Sequence, residues 1–255
     1  MILTADYHTH TPYSHGKNTV AENALRAKEL SLKEIGISDH GYGHITYGIS
    51  RKKTNAYKDD CKKAEEIYGV KVKVGMVANI LNAEGLTDMK ESDYADFDIF
   101  LCGAHILVGY ASAKDRRHLL WKNLFFKKNP SEKLLTANTK AYIEVIKNNP
   151  VDILTHICYK FPANAVEVAK CAADFGTYIE LNSKKLHLTD DELCEIVAKT
   201  DARFVIGSDA HSQNRVGEIR LVEEQLKRVN FPLERIDNID GRLPNFRFAE
   251  YKKHK

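Results

Sequence analysis

Seven short apolar runs punctuate the chain, at residues 2–7 (ILTADY), 34–38 (EIGIS), 72–77 (VKVGMV), 97–103 (FDIFLCG), 151–156 (VDILTH), 178–181 (YIEL) and 203–208 (RFVIGS). Each spans four to seven residues, short for a buried helix, so each predicts a strand. Between most of them the apolar positions recur with helical spacing, as at 20–30, 55–69, 140–149 and 190–200. The first of these helices carries a start signal. Thr19 with Glu22 three residues later forms a capping box, in which hydroxyl and carboxylate satisfy backbone N–H groups that lack helical partners. Strand–helix alternation of this kind predicts an α/β fold of parallel strands joined by crossover helices.

Two stretches depart from the alternation. Residues 107–131 are longer than an ordinary connection and carry Lys114, Arg116, Arg117, His118, Lys122, Lys127 and Lys128, which predicts a basic, partly helical insertion. From Phe231 onward the pattern is broken by Pro232, Gly241 and Pro244, which predicts a loosely packed tail that frays. At 255 residues the chain fits one domain, taken as 1–255. Its net charge of +3 announces neither a nucleic-acid nor a membrane partner, and it leaves the oligomeric state open. The start MILTADYHTH has no basic stretch leading into an apolar run, so a cytoplasmic location is expected. Cys61, Cys102, Cys158, Cys171 and Cys194 lack CxxC spacing and are expected to be reduced and mostly in the core. Cys102 and Cys158 flank His105 and His156, but no base is paired with them by sequence, and packing is the better reading.

The histidines change the picture. His8 and His10 follow the first predicted strand, Asp39 and His40 the second, His105 the fourth, His156 the fifth, and Asp209 and His211 the seventh. In a barrel of parallel strands the C-terminal ends converge on one face, so residues far apart in sequence line one pocket. Imidazole and carboxylate are ligands for zinc, manganese or iron, and this set exceeds the roughly four donors that one zinc takes. Closely spaced metals suit phosphoester hydrolysis, because together they polarise the phosphoryl group, activate water and stabilise the leaving oxygen.

The segments HTHTPYSHG (8–16), SDHG (38–41), GAH (103–105), THIC (155–158) and SDAH (208–211) resemble, in order, the motifs of the PHP superfamily, named for polymerase and histidinol phosphatase. The resemblance extends to about Phe248. It implies a distorted (β/α)7 barrel of TIM-like type and a phosphatase acting on a small phosphomonoester, histidinol phosphate among the candidates. It also implies up to three divalent metals: one on His8, His10 and Asp209, a second on His105 and His156, and a third on His15, His40 and His211. One position departs from the pattern. Where the family has a glutamate bridging the first two metals, GMVANI (75–80) has Val77, which weakens the expected bridged pair. Glu84 and Glu180 are the candidates to supply a substitute carboxylate, and neither falls in the matching motif. The alternative reading is a non-catalytic or weakly active binder of metal and phosphate.

Asp39 and Asp209 are the candidate catalytic carboxylates, with Asp39 expected to orient a ligand or to act through His40. Asn182, Lys184, Lys185, Arg116 and Arg117 are candidate contacts to substrate phosphate. His44, His118, His187 and His254 match no motif and are expected at the surface.

Overall fold

The structure, a computed structural model, describes residues 1–254. Seven parallel strands form one sheet in sequence order: β1 (Ala5–Thr9), β2 (Glu34–His40), β3 (Lys71–Asn79), β4 (Ile99–Gly103), β5 (Ile153–Leu154), β6 (Tyr178–Asn182) and β7 (Phe204–Gly207). The sheet curls until its edges meet, where Thr9 bridges Ala210 in parallel, the His10 amide donates to the Ala210 carbonyl (2.8 Å) and the Ala210 amide to the His8 carbonyl (3.1 Å). The result is a nearly closed (β/α)7 barrel, with the parallel strands that the alternation predicts and the barrel that the family resemblance implies.

The connections are α1 (Val20–Glu29), α2 (Thr54–Tyr68), the insertion elements α3 (Ala113–Asp115) and α4 (Lys122–Phe126) with a π-type turn at Arg116–Trp121 between them, α5 (Glu132–Asn148), α6 (Ala165–Phe175), α7 (Asp190–Lys199), α8 (Arg220–Arg228) and α9 (Arg247–Lys253). The Thr19–Glu22 capping box forms in both directions, so α1 begins where the sequence places it. The insertion is partly helical and exposes Trp121, Phe125 and Phe126. No helix among the described residues is long and apolar enough to cross a membrane.

Two apolar layers divide the core. The larger lies between the sheet and the helices. The smaller, comprising Ala5, Tyr7, Val77, Ile99, Leu101, Ile153, Tyr178, Val205 and Phe246, fills the barrel itself. Because strand side chains alternate, this layer fixes which positions point inward and places the next inward position of several strands at the C-terminal mouth.

The stretch from Phe231 does not fray. Ile236, Asn238, Ile239 and Phe248 are fully buried, and Phe246 plugs the barrel, its ring edge-on to Tyr7 (centroids 4.9 Å apart). The Asn238 side chain donates to the Ala5 and Ile206 carbonyls (2.8 and 2.7 Å) and accepts from the Ile206 amide (2.9 Å), filling the seam between β1 and β7. Proline and glycine here mark turns between anchoring residues, and burial of the intervening apolar side chains decides the outcome.

Candidate metal centre and active site

A cleft of about 420 Å³ opens at the C-terminal mouth of the barrel, lined by eight of the chain's eleven histidines together with Asp209, Lys160, Lys184 and Lys185. The first strand reaches it through a break in pairing. The register of β1 on β2 shifts between Asp6 and Thr9, and such a bulge re-aims side chains. Tyr7 can therefore pack inside the barrel while His8, next in sequence, faces the cleft.

Three donors from the two edges of the sheet converge. His8 Nε2 and His10 Nε2 lie 3.1 Å apart, and Asp209 Oδ1 lies 3.4 Å from His10 Nε2 and 3.8 Å from His8 Nε2. A tetrahedral ion with bonds of about 2.1 Å would space its ligands by roughly 3.4 Å, so one ion fits among these atoms. A second group, His10, His15, His40 and His211, has ligand atoms within 4.8 Å of one another. His10 belongs to both groups. His105 and His156 also meet, with ring centroids 5.0 Å apart, but among the described residues no third acidic or imidazole donor completes a compact set around them. Val77, fully buried and paired in register with His40, offers only methyl groups there.

The donor chemistry fits divalent metal. Nδ1 of His10, His15, His40, His105 and His156 is buried with no hydrogen-bond partner among the described residues, a costly arrangement unless something else takes the lone pair or the proton. Burial, reinforced by neighbouring imidazoles, lowers His40, His105 and His156 well below the ordinary histidine range, so these rings are neutral and able to ligate. Asp209 sits well below the usual carboxylate range despite its burial, because His8 and His10 lie beside it. Backbone strain marks the same site. His156 (φ +34°) and Asp209 (φ +48°) both occupy left-handed conformations, which side chains other than glycine adopt at a cost.

Glu180 is the principal residue that sequence reasoning undervalued. It is buried on β6, its Oε1 is 2.5 Å from His8 Nδ1, and its Oε2 accepts from the His156 amide (2.8 Å) and from Asn182 Nδ2 (3.0 Å). Both oxygens are thus engaged, so Glu180 does not replace the bridging carboxylate at Val77; it holds His8 with Nε2 turned to the cleft. Burial pushes His8 down, but attraction to Glu180 and Asp209 outweighs it and raises the ring to about 9. Gly207 makes room for this contact, since a Cβ there would collide with Glu180 Oε1. The available signal was a carboxylate inside an apolar strand, two residues before Asn182 on the same face. Glu84 is exposed in a loop away from the cleft.

The other expectations divide. Asp39 does not line the cleft. It accepts from the Thr11 amide (2.7 Å) and from the Thr11 and Ser14 hydroxyls, and His10 Nδ1 lies 3.8 Å away, so it pins the loop that carries His10 and His15; among the described residues no hydrogen bond or ion pair joins its carboxylate to the His40 ring. Asn182 is also absorbed internally, donating to Glu180 and Asp209 and accepting from the amides of Lys184 and Lys185. Lys184 does face the cleft, with Nζ 3.4 Å from Asp209 Oδ1 and 3.0 Å from His211 Nδ1. Arg116 and Arg117 lie exposed on the π-type turn of the insertion and do not line the cleft. His44 and His187 are not simply surface residues. His44 stacks on His40 (4.7 Å) and is drawn in by its bridge to Val108, while His187 packs on Tyr159 (4.5 Å). His254 is exposed, and His118 sits on the insertion beside Lys122. Cys102 is buried and Cys158 partly so, and burial raises both thiols, which leaves neither poised as a nucleophile.

Residues 6–184 match the PHP domain family. The chain belongs to that family. It is 31% identical over 250 residues to a protein of Caldanaerobacter subterraneus subsp. tengcongensis named probable phosphatase, covering 92% of this chain and 87% of that one. A probable phosphatase of Thermoanaerobacter sp. strain X514 is 28% identical, with 100% and 96% covered. Among solved structures, the histidinol phosphate phosphatase of Lactococcus lactis subsp. lactis, determined with zinc, L-histidinol and phosphate, superposes with a TM-score of 0.60 at 14% identity, covering 98% of each chain. This likeness supports the barrel fold of the PHP chain.

The titration of the site predicts how the metal-free protein responds to acid. Burial, helped by His10 and Lys184, lowers His15 to about 4; burial lowers His187 to about 4; burial and His10 lower His211 to about 3. An unfolded histidine takes a proton near 6.5. As pH falls below that value the unfolded chain gains protons that the folded one refuses, so this stability is full above about 6.5 and is lost on the way down to about 4. The urea midpoint of the chelator-treated protein should fall across that interval, and a flat midpoint would contradict neutral His15, His187 and His211.

Proposed function

We propose that the protein is a metal-dependent phosphatase acting on a small phosphomonoester, with the cleft at the barrel mouth as its active site. The observation that carries this is the convergence of His8, His10 and Asp209 with His15, His40 and His211 around shared His10, together with the unpartnered nitrogens among them. The names of the PHP relatives support the reaction class, and the Lactococcus protein's bound phosphate supports the substrate class.

Divalent ions held by these residues would polarise the phosphoryl group and activate water for in-line attack. The chain's own contributions are positional. Glu180 fixes the His8 tautomer, and Asp39 fixes the loop bearing His10 and His15. Lys184, beside Asp209, places an ammonium where phosphate oxygens would lie. No side-chain nucleophile is required. Histidinol phosphate is one phosphomonoester for the substrate panel.

Purified protein loaded with manganese or zinc should hydrolyse an aryl phosphate, lose that activity on chelation and regain it when the metal returns. Stoichiometric metal binding with no turnover of any phosphate ester would instead favour a non-catalytic binder. Val77→Glu tests the altered bridge. It should raise bound metal by one equivalent and the rate several-fold, while lowering the melting temperature of the metal-free protein, because a buried carboxylate without a partner costs about 3 kcal/mol. Unchanged metal content would remove the role assigned to position 77.

A further inference from the structure

The cleft continues on one side into a shallower hollow of about 250 Å³, and the two share Tyr159, Lys160 and Lys185. Lys127 and Lys128 line the far part of this hollow, at the end of the insertion. Among the described residues no carboxylate lines it, and Asp209 is the one carboxylate lining the cleft itself. None of the four lysines forms an ion pair among the described residues. Elsewhere on the surface some basic residues are paired with acids, as Lys58 is with Asp96 and Arg228 with Asp190.

The lysines are presented by built elements. Asn182 Oδ1 accepts from the Lys184 and Lys185 amides and so fixes the turn after β6. The loop after β5 holds His156, Cys158 and Lys160 at φ +34°, +66° and +59°, three left-handed residues without a glycine among them. Strain of this kind persists where the surroundings enforce it and gathers at ligand sites. Here it delivers His156 to the metal cleft and Tyr159 and Lys160 to the adjoining hollow. The Lys160 and Lys185 ammoniums lie 4.8 and 5.6 Å from the Tyr159 ring centre, one ring shared by two cations.

We propose that this hollow is a second anion subsite, so that the substrate carries, besides the phosphate to be cleaved, another phosphate or carboxylate that Lys160, Lys185, Lys127 and Lys128 bind. The inference rests on the phosphatase reading of the cleft. Hydrolysis of the first ester would release inorganic phosphate and leave the second anionic group on the alcohol product. A substrate bearing an ammonium at that end would be repelled. The ring of Tyr159 supplies an apolar wall for the part of the molecule that joins the two groups.

The test uses full-length, manganese-loaded protein and alkyl phosphonates of matched chain lengths ending in phosphonate, carboxylate, hydroxyl or ammonium. Calorimetry should give at least about tenfold tighter binding of an anionic than of a hydroxyl end, weaker binding of the ammonium end, and a steep fall of the preference with salt. The ranking of phosphonate against carboxylate identifies the second group. Lys127→Ala/Lys128→Ala and, separately, Lys185→Ala should each erase most of the preference. Equal affinity for all four ends, or a preference that survives both variants, overturns the subsite. The corresponding phosphate esters separate the two readings. If none is hydrolysed while the lysine-dependent preference holds, the catalytic reading falls and the subsite stands. If all are hydrolysed without preference, the subsite falls and the phosphatase stands.

Discussion

His10→Ala should abolish phosphatase activity and strip metal from both donor groups at once, whereas His15→Ala should weaken only one. His10 Nε2 lies within ligand spacing of His8 and Asp209, and His10 is also a member of the set with His15, His40 and His211. Its removal leaves two donors in the first group and three in the second. Losing transition-state stabilisation by the ions should cost about 10³-fold in kcat/KM, the equivalent of roughly 4 kcal/mol. Elemental analysis beside the kinetics makes the claim specific. If His10→Ala loses activity but keeps its full metal content, the imidazole is not the common ligand, and the two groups must be filled independently.

Glu180 should show the second largest effect, through a residue that need not touch metal or substrate. Glu180→Gln keeps an acceptor for one neighbour but removes the charge that sets the His8 tautomer, and should lower metal affinity by about 10- to 100-fold. Glu180→Ala goes further. It leaves His8 Nδ1, the His156 amide and Asn182 Nδ2 without their buried acceptor and should cost roughly 3 kcal/mol or more in stability. A structural role alone would appear as lost stability in both variants with metal affinity intact. Titration of the folded Glu180→Gln protein with zinc against a competing chelator distinguishes the two. If its affinity equals that of the unsubstituted protein, Glu180 does not orient His8.

How much of this was legible in the sequence depended on whether a residue's position follows from strand parity or from loop packing. The seven strands were readable because each is a brief apolar run, and His8, His10, His105, His156, Asp209 and His211 were readable because they lie at or just beyond strand ends, where a parallel barrel gathers its mouth. Glu180 obeyed the same parity but was hidden by its apolar neighbours Ile179 and Leu181. His44 and His187 were not readable, since their approach depends on long-range contacts made by loops: the bridge from His44 to Val108, and the packing of His187 on Tyr159. Arg116 and Arg117 failed for the converse reason, because charge in an insertion carries no information about direction. In the closing segment Pro232 and Gly241 carry a strong turn signal, while the burial of Ile236, Ile239, Phe246 and Phe248 between and beyond them depends on contacts far along the chain that local pattern does not show.

The seam of the barrel gives the candidate ligands a further meaning. His8 and His10 belong to the first strand, while Asp209 and His211 follow the last, so the donor set straddles the line along which the sheet closes, with Asn238 stitching it from the opposite end. Contacts across that line join residues about two hundred positions apart and are among the most expensive in chain entropy to make. An ion bound there would reward only the closed state, acting as a clasp on the seam, so that occupancy and closure rise and fall together.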